Sequence, residues 1–341
     1  MKKTENPEYS TKTIHKVSYM FSPEAGEENQ GKLIRKITTD VVIVEQPLQI
    51  TLSWLEQGVV KNTVFTITMR TPGHDKLLIT GLLHSEGVIK QLSDIESIKL
   101  ASEDVTGEGW QNEWLVQFIT GFTPDLSSLE RYIISYSSCG LCGSTSLKTL
   151  QLKTAINLTF TEHKHALAAQ SLLLLSSKMR REQALFDKTG GVHGAALFML
   201  EVDLAFKNKI EREFEQQLNK QLTLRHIYED IGRHNAVDKV VGALLTSTSI
   251  SSTAKDKLAQ GNRDDLSPSA PLRLLLVSGR ISFEIVQKTI MAGINVLVGV
   301  GAPSDLAIQA AKQFDLTLIG FVSAKGFNVY HGDWRLSNND G

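Results

Sequence analysis

The chain contains two cysteines, Cys139 and Cys142, in the pattern Cys-x-x-Cys. In such a loop the thiolate is the nucleophile, and its pKa can fall well below the value of about 8.5 of a free cysteine. Gly140 and Gly143 lie beside the two cysteines and favour an accessible loop. A thiolate of this kind can attack a donor persulfide, take its outer sulfur and pass it on.

Three other interpretations of the cysteine pair stay open on spacing alone. A closed zinc site needs two further ligands, and the sequence holds no second Cys-x-x-Cys. A thioredoxin-like redox pair is expected beside a βαβ unit, and none follows here. The spacing can also be incidental.

A second segment with possible chemistry, residues 186–196, contains Gly190, Gly191 and His193. Paired glycines let a backbone approach a ligand closely, and His193 could donate to a phosphate or transfer a proton. Taken alone, the segment favours a plain turn with His193 as an ordinary polar residue.

A third segment, residues 229–239, combines Asp230, Arg233 and His234 at a predicted strand-to-helix turn. A helix N-terminus favours anions, and arginine adds paired donors. Asp230 and His234 would be neighbours if the helix began early enough. Ordinary helix capping is the alternative, but the density of polar groups favours a functional role.

Two more segments follow predicted strands. Ser278 and Arg280 come directly after a buried strand and before a helix, where open α/β sheets bind ligands. Phe321 and Lys325 follow the last predicted strand at the same edge and could contact a base and a phosphate. The alternatives are a simple helix cap and a plain exit loop.

The elements that must position these residues form two units. The sequence predicts a small α+β domain over residues 35–136 and an α/β domain over residues 147–335. The Cys-x-x-Cys loop at 137–146 joins them. Residues 1–34 are predicted to be a mobile polar tail. Within the second unit the apolar runs predict strands at 272–278, 294–300 and 316–322, separated by helices, with a hairpin at 195–202 and 224–228 and a helix at 234–245. Two segments, 207–221 and 246–268, are predicted to be insertions.

Composition limits the classes of partner. The chain has 341 residues, 41% of them hydrophobic, with 36 basic and 37 acidic side chains and a net charge of −1. This balance predicts no nucleic-acid partner, and no apolar run has the length that membrane insertion requires. A two-cysteine chain without a recognisable signal sequence is expected in the cytoplasm.

These segments together resemble the FdhD family of formate dehydrogenase accessory sulfurtransferases. The resemblance is carried by Cys139-Gly140-Leu141-Cys142-Gly143, by Thr189-Gly190-Gly191-Val192-His193, and by residues 229–242, 278–293 and 302–330. It implies a cytidine-deaminase-like three-layer α/β domain with a smaller N-terminal α+β domain. Gly194 is one departure, because many relatives carry alanine there.

The resemblance also implies a function. Such proteins accept sulfur from a cysteine desulfurase as a persulfide and transfer it to the bound substrate Mo-bis(molybdopterin guanine dinucleotide), which formate dehydrogenase then receives. The implied partners are the desulfurase and the catalytic subunit of formate dehydrogenase, and the implied assembly is a homodimer. No intrinsic metal is expected.

The expected site has a catalytic and a binding part. Cys139 is the expected persulfide residue, and Cys142 assists it. The remaining expected residues contact the cofactor, six of them by resemblance and five on physical grounds: Phe321, Val322, Ser323, Ala324, Lys325 and Gly326, with His193, Arg233, His234, Ser278 and Arg280.

Two rival classes remain at this point. A binding chaperone would hold the cofactor without carrying sulfur. A zinc hydrolase on a deaminase-like scaffold would need His-x-Glu followed by Pro-Cys-x-x-Cys. Here the corresponding positions read His234-Asn235-Ala236 and Ser278-Gly279-Arg280, which lack both the general acid and the metal ligands.

Overall fold

A computed structural model describes residues 10–23, 31–101, 112–126, 150, 167–200, 222–252 and 271–337. Cys139, Cys142 and the predicted insertion at 207–221 lie outside these ranges. Among the helices that are described, none combines the length and the apolar character needed to cross a bilayer.

The first two strands form a long hairpin. β1 (Thr11–Pro23) pairs antiparallel with β2 (Gly31–Ile43) along its whole length. The predicted mobile tail over 1–34 is therefore wrong for the residues of β1 and for the start of β2. The physical reason is a period-two pattern at Val17, Tyr19 and Phe21, which the polar composition of this region hides.

A four-stranded sheet forms the N-terminal α+β unit. Its strands are β3 (Gln46–Glu56), β4 (Val59–Arg70), β5 (Ile95–Leu100) and β6 (Glu113–Phe118), in the order β4-β3-β6-β5. Helix α1 (Asp75–Ser85) covers one face and buries Leu78 and Leu83 against Leu48, Ile50 and Val116. Alternation of apolar and polar residues along the strands produces this single buried face.

A six-stranded mixed sheet forms the second unit. Its order is β13-β12-β11-β10-β8-β9, and β10, β11 and β12 run parallel. The strands are β8 (His193–Leu200), β9 (Leu222–Asp230), β10 (Leu272–Val277), β11 (Val296–Gly299), β12 (Thr317–Ser323) and β13 (Gly326–His331). The predicted hairpin and parallel strands are all present. Two short strands, β7 (Leu167–Ala168) and β14 (Leu336–Ser337), pair with each other outside this sheet.

Helices cover both faces of this sheet, so the unit has three layers. One face carries α5 (Arg233–Ser252), α6 (Phe283–Met291) and α7 (Asp305–Gln313), whose apolar residues pack on Leu275 and Leu297. The other face carries α2 (Ala169–Leu173) and α3 (Leu175–Glu182), which pack on Phe198 and Leu274, and α4 (Ala184–Thr189) follows α3. The predicted α/β class is confirmed, while the specific likeness to cytidine deaminase stays a prediction.

Helix α5 extends beyond its predicted end. It continues to Ser252, so the first seven residues of the surface loop predicted at 246–268 are helical. The hydroxyls of Thr246, Ser247 and Thr248 bond to backbone carbonyls within the preceding turn. Serine and threonine are compatible with a helix when they bond in this way.

The two units meet where α1 crosses α5 at a pair of glycines. A Cβ on Gly81 would lie 1.9 Å from the carbonyl oxygen of Asp238, and a Cβ on Gly242 would lie 2.0 Å from that of Leu77. Both helix backbones are therefore in direct contact, and any side chain at either position would force the helices apart.

We expect Gly242→Ala to lower the free energy of unfolding by about 3 kcal/mol, because the added methyl group meets rigid backbone. Urea denaturation would measure the change. Ser247→Ala on an exposed turn of α5 is the control and should change stability by less than about 0.5 kcal/mol. Equal stabilities for Gly242→Ala and the wild type would contradict this close helix contact.

Candidate functional site

One edge of the six-stranded sheet collects most of the predicted binding residues. The parallel strands β10, β11 and β12 end there, and the antiparallel strand β8 begins there with His193. Helices α5 and α6 also begin at this edge. Ligands of open α/β sheets bind beyond the carboxyl ends of parallel strands.

His193 and Arg233 come together at Gly279. A Cβ on Gly279 would lie 3.4 Å from Nδ1 of His193 and 3.8 Å from Cδ of Arg233. Burial lowers the pKa of His193, and the charge of Arg233 lowers it further, although Asp230 opposes the shift. Nε of Arg233 is buried and has no hydrogen-bond partner within the part of the chain that the structure describes.

Ser278 is held by two backbone bonds to the start of β8. Its hydroxyl oxygen accepts from the amide of Gly194 at 2.9 Å, and its own amide donates to the Gly194 carbonyl at 2.9 Å. The amide of Gly301 donates to the Gly279 carbonyl at 3.1 Å. The loops after β10 and β11 therefore lie side by side, with Arg280 exposed to solvent.

His234 lies in a polar cluster at the start of α6. Its Nε2 is 3.2 Å from Oγ of Ser282. Burial and the charges of Lys288 and Arg233 lower the pKa of His234 to about 4, against the opposing charge of Glu284. The imidazole is therefore neutral at pH 7, because burial and the nearby cations disfavour its charged form.

Asp230 does not bond to His234. Its carboxylate is fully buried, lies 2.7 Å from Nζ of Lys239 and accepts from the side-chain amide of Asn235. The amide of Thr71 donates to the same carboxylate. The predicted contact between Asp230 and His234 does not form. Asp230 bonds to Thr71 of the N-terminal unit, whereas His234 lies beside Ser282 at the start of α6.

The six residues expected by resemblance span the end of β12, the turn after it and the first residue of β13. Phe321 has a left-handed backbone with φ of 57° and a side chain 48% exposed. Such a conformation is strained for a residue other than glycine. The Ser323 hydroxyl accepts from the amide of Lys325, and Ser323, Ala324 and Lys325 are exposed. Val322 is buried in the core between the sheet and helices α2 and α3.

A cavity of about 650 Å³ opens beside this edge, between the sheet and helices α3 and α4. His193 and Ser278 line it, whereas Arg233, His234, Arg280 and the turn at 321–326 do not. The other lining residues are Ser176, Ser177, Met179, Arg180, Gln183, Phe186, Gly190, Gly191, Val192 and Val300.

The α3 and α4 side of the cavity is missing from the sequence-based site. Arg180 stacks over the ring of Phe186 at 4.4 Å, and Gln183 lies between the two helices. Amides of Leu185 and Phe186 donate to the Glu229 carboxylate at 2.8 Å and 2.9 Å, which fixes the start of α4. These residues lie in and between two short helices of eight and six residues, and their sequence carries no motif that points to a ligand.

The predicted catalytic residues Cys139 and Cys142 lie outside the described residues. Within the described ranges, no three side chains of His, Cys, Asp or Glu converge as a metal site would require.

The chain matches the sequence model of the FdhD/NarQ family over residues 43–210 and 216–337. It is 37% identical over 302 residues to the sulfur carrier protein FdhD of Streptomyces avermitilis, which covers 87% of this chain and 89% of that protein. It is 36% identical over 299 residues to the sulfur carrier protein FdhD of Saccharolobus solfataricus, with 87% of this chain and 91% of that protein covered.

A solved structure has the same overall fold. A proposed formate dehydrogenase accessory protein from Desulfotalea psychrophila superposes with a TM-score of 0.56 at 18% identity, covering 95% of this chain and all of that one. The class is thus a two-unit α/β protein whose larger sheet gathers polar side chains where its parallel strands end. The chain belongs to the FdhD/NarQ family, and the resemblance seen in its sequence is confirmed.

Protonation of His234 should make the fold sensitive to acid. Because its folded pKa is lowered to about 4 from an ordinary 6.5, the unfolded chain binds the proton first as the pH falls. Stability from this group is present above about pH 6.5 and is lost toward pH 4. Since the imidazole is partly exposed, we expect a loss of about 2 kcal/mol.

Urea denaturation of wild type and His234→Gln at about pH 7.5 and about pH 5 would test this. The wild type should lose more stability between the two conditions than the variant does. The difference at the higher pH gives the cost of substitution itself, because the imidazole is neutral there. Parallel losses in both proteins would show that His234 is not the responsible group.

Proposed function

We propose that this chain is a sulfur carrier that takes sulfur from a cysteine desulfurase and transfers it to Mo-bis(molybdopterin guanine dinucleotide) for formate dehydrogenase. The observation that carries the proposal is family membership over a range that includes Cys139 and Cys142. Relatives aligned along most of the chain are named sulfur carrier protein. The proposed activity is that of a sulfurtransferase.

Loading of sulfur is a thiolate exchange. The Cys139 thiolate attacks the outer sulfur of the desulfurase persulfide, and a new S–S bond forms on Cys139 as the donor S–S bond breaks. The donor cysteine leaves as a thiolate. Nothing is oxidised or reduced overall, so this step needs no further reactant.

Delivery of sulfur needs two electrons, because the outer sulfur of a persulfide must reach the level of sulfide. The Cys142 thiolate attacks Sγ of Cys139, the bond to the outer sulfur breaks, and hydrosulfide leaves toward the metal. Cys139 and Cys142 supply both electrons as they form a disulfide with each other. A cellular dithiol then reduces this disulfide.

The sheet edge supports binding of the phosphorylated substrate. Arg233 and Arg280 provide cations there, Ser278 and the first turns of α5 and α6 provide polar donors, and Lys325 extends from the neighbouring turn. These are groups that bind phosphate. The exposed ring of Phe321 offers a surface on which a planar base can stack. Local cations of this kind suit a chain whose net charge is −1.

The proposed chemistry also supports a cytoplasmic location and a cysteine desulfurase as partner. Free thiolates and a dithiol reductant are characteristic of the cytoplasm, where we place the protein. The desulfurase is the partner that loading requires, and the catalytic subunit of formate dehydrogenase receives the sulfurated cofactor.

The hairpin supports a homodimer. In an antiparallel pair, directly opposite residues share one face. One face of the hairpin carries Val17, Tyr19, Phe21, Leu33 and Ile37, each between 46% and 64% exposed. An exposed apolar face of this kind favours association, and a second copy of the chain would cover it.

Cys139→Ala should abolish sulfur loading and formate dehydrogenase activity in a strain that lacks its own carrier. Mass spectrometry after incubation with a desulfurase and cysteine should show one added sulfur on the wild type and none on the variant. Cys142→Ala is the matched control, which should load sulfur but fail to release sulfide. A Cys139→Ala protein that still supports the dehydrogenase would instead identify a chaperone that only binds cofactor.

Phe21→Ser combined with Leu33→Ser should convert the homodimer to a monomer, because it removes an opposed apolar pair. Light scattering coupled to size exclusion would measure the mass. Lys16→Ser with Thr38→Ser changes an opposed pair on the other face and should leave the dimer intact. A wild-type protein that is monomeric, or a dimer unaffected by the first pair, would remove the hairpin from the interface.

A further inference from the structure

The β1–β2 hairpin has a second exposed face, and this face is basic. The two strands contain five lysine and arginine residues and one acidic residue, so their net charge is +4, whereas that of the whole chain is −1. Directly opposite residues of an antiparallel pair share a face, and side chains alternate between the two faces. The register therefore places four of the five basic side chains on one face, called here the lysine face: Lys12, Lys16, Lys32 and Lys36.

The charges of the lysine face are exposed and largely uncompensated. All four lysines are exposed to solvent. Asp40, the acidic residue of the two strands, lies 2.7 Å from Nζ of Lys16 and can compensate one of the four charges. Lys32 is opposite Ser22, so the lysines extend from position 12 to position 22 of β1, or about 33 Å at about 3.3 Å per residue.

Apolar side chains lie between these lysines on the same face. Met20 and Ile34 are directly opposite each other and are 50% and 48% exposed, and Ile14 is 37% exposed. Protein interfaces combine apolar contacts with charges at their rim. Rim charges set the rate of encounter and the choice of partner more than the final affinity. The lysine face therefore has the composition of a protein-binding surface.

The hairpin lies beside the candidate site and extends into solvent. Residues 12–17 and 32–37 are exposed on both faces of the ribbon. At the other end of the hairpin, β2 packs on α4, and Cγ2 of Ile43 lies 3.4 Å from the position of a Cβ on Gly191, which lines the cavity. A protein bound to the lysine face would therefore lie next to the sheet edge.

The residue types favour a protein partner over nucleic acid or lipid. Lysine is a strongly hydrated point charge and lacks the paired donors with which arginine recognises phosphate. Tyr19 and Phe21, which could stack on bases or enter a lipid surface, lie on the opposite face of the hairpin. That opposite face is the proposed dimer interface, so the lysine face stays accessible in the dimer.

We infer that the lysine face binds an acidic surface of the cofactor-free catalytic subunit of formate dehydrogenase. The inference rests on the proposed function, in which this subunit takes the cofactor from the sheet edge. The position of the hairpin favours this subunit over the desulfurase, because the desulfurase needs access to Cys139 rather than to the edge. Long-range attraction by exposed lysines speeds the encounter and brings the acceptor beside the bound cofactor.

Biolayer interferometry with the full-length protein and the purified cofactor-free subunit from the same organism would test this. Lys12→Glu with Lys36→Glu should weaken binding about tenfold at about 50 mM salt, mainly through slower association, and the difference should shrink at about 0.5 M salt. Lys99→Glu with Lys312→Glu is the matched control, because both lysines are exposed elsewhere and the net charge changes equally. The control should bind as the wild type does, and light scattering should give the same mass for all three proteins.

Carbodiimide cross-linking tests the chemistry of the partner, because it joins lysine amines to carboxylates. Mass spectrometry should find cross-links from Lys12, Lys32 or Lys36 to aspartate or glutamate of the dehydrogenase subunit. Cross-links from these lysines to the desulfurase instead would overturn the inference. So would binding to nucleic acid or to phosphatidylserine vesicles that the wild type shows and Lys12→Glu with Lys36→Glu loses.

Equal binding of the wild type and Lys12→Glu with Lys36→Glu at low salt, or equal weakening in the control, would also refute the docking surface. Sulfur loading on Cys139 by the desulfurase should proceed at the same rate in every variant. Slower loading in Lys12→Glu with Lys36→Glu would count against the dehydrogenase as the partner. A wild-type Cys139 that takes up no sulfur would instead refute the proposed function, whatever the binding measurement gives.

Discussion

The buried ion pair between Asp230 and Lys239 is the interaction on which the arrangement of the molecule depends. The two side chains are 2.7 Å apart and almost completely removed from solvent. Both bond to Thr71, whose amide donates to Asp230 and whose carbonyl accepts from Lys239. Removing either charge would leave the other buried and uncompensated, which is among the most destabilising of single changes.

This pair lies directly behind the candidate site. Asp230 ends β9, and the amide of Gly232 donates to its carboxylate just before α5 begins with Arg233. The position of Arg233 and His234 is therefore set by a contact with the N-terminal unit. Nearby, burial and neighbouring cations keep His193 and His234 neutral. The edge thus combines permanent positive charge on arginine with uncharged imidazoles.

Much of the larger unit could be predicted from the sequence, because its strands are continuous apolar runs. Residues 272–278 and 294–300 are typical of buried parallel strands, and the end of the first places Ser278 and Arg280 at the ligand-binding edge that such sheets share. The composition does not predict the hairpin, because the segments beside β1, residues 1–10 and 24–30, are mostly polar and obscure the alternation within it. The end of α5 was missed because threonines and serines are poor helix formers in isolation.

Gln183 and Gly194 show a different limit of sequence reasoning. The two residues are adjacent in space, since the absence of a side chain on Gly194 leaves room for the amide of Gln183, which lies between α3 and α4 eleven residues earlier. No periodicity encodes such a contact. Val322 shows another limit, because it lies within the segment expected to contact the cofactor, yet its side chain is buried in the core.

The contact between Gly81 and Gly242 has a mechanical consequence. Two helices whose backbones touch cannot slide or tilt without separating, and packed interiors resist such separation. The N-terminal sheet and the larger unit must consequently move as one rigid piece. A large substrate that binds at the sheet edge would be accommodated by rotamer changes and loop displacement rather than by hinge bending between the units.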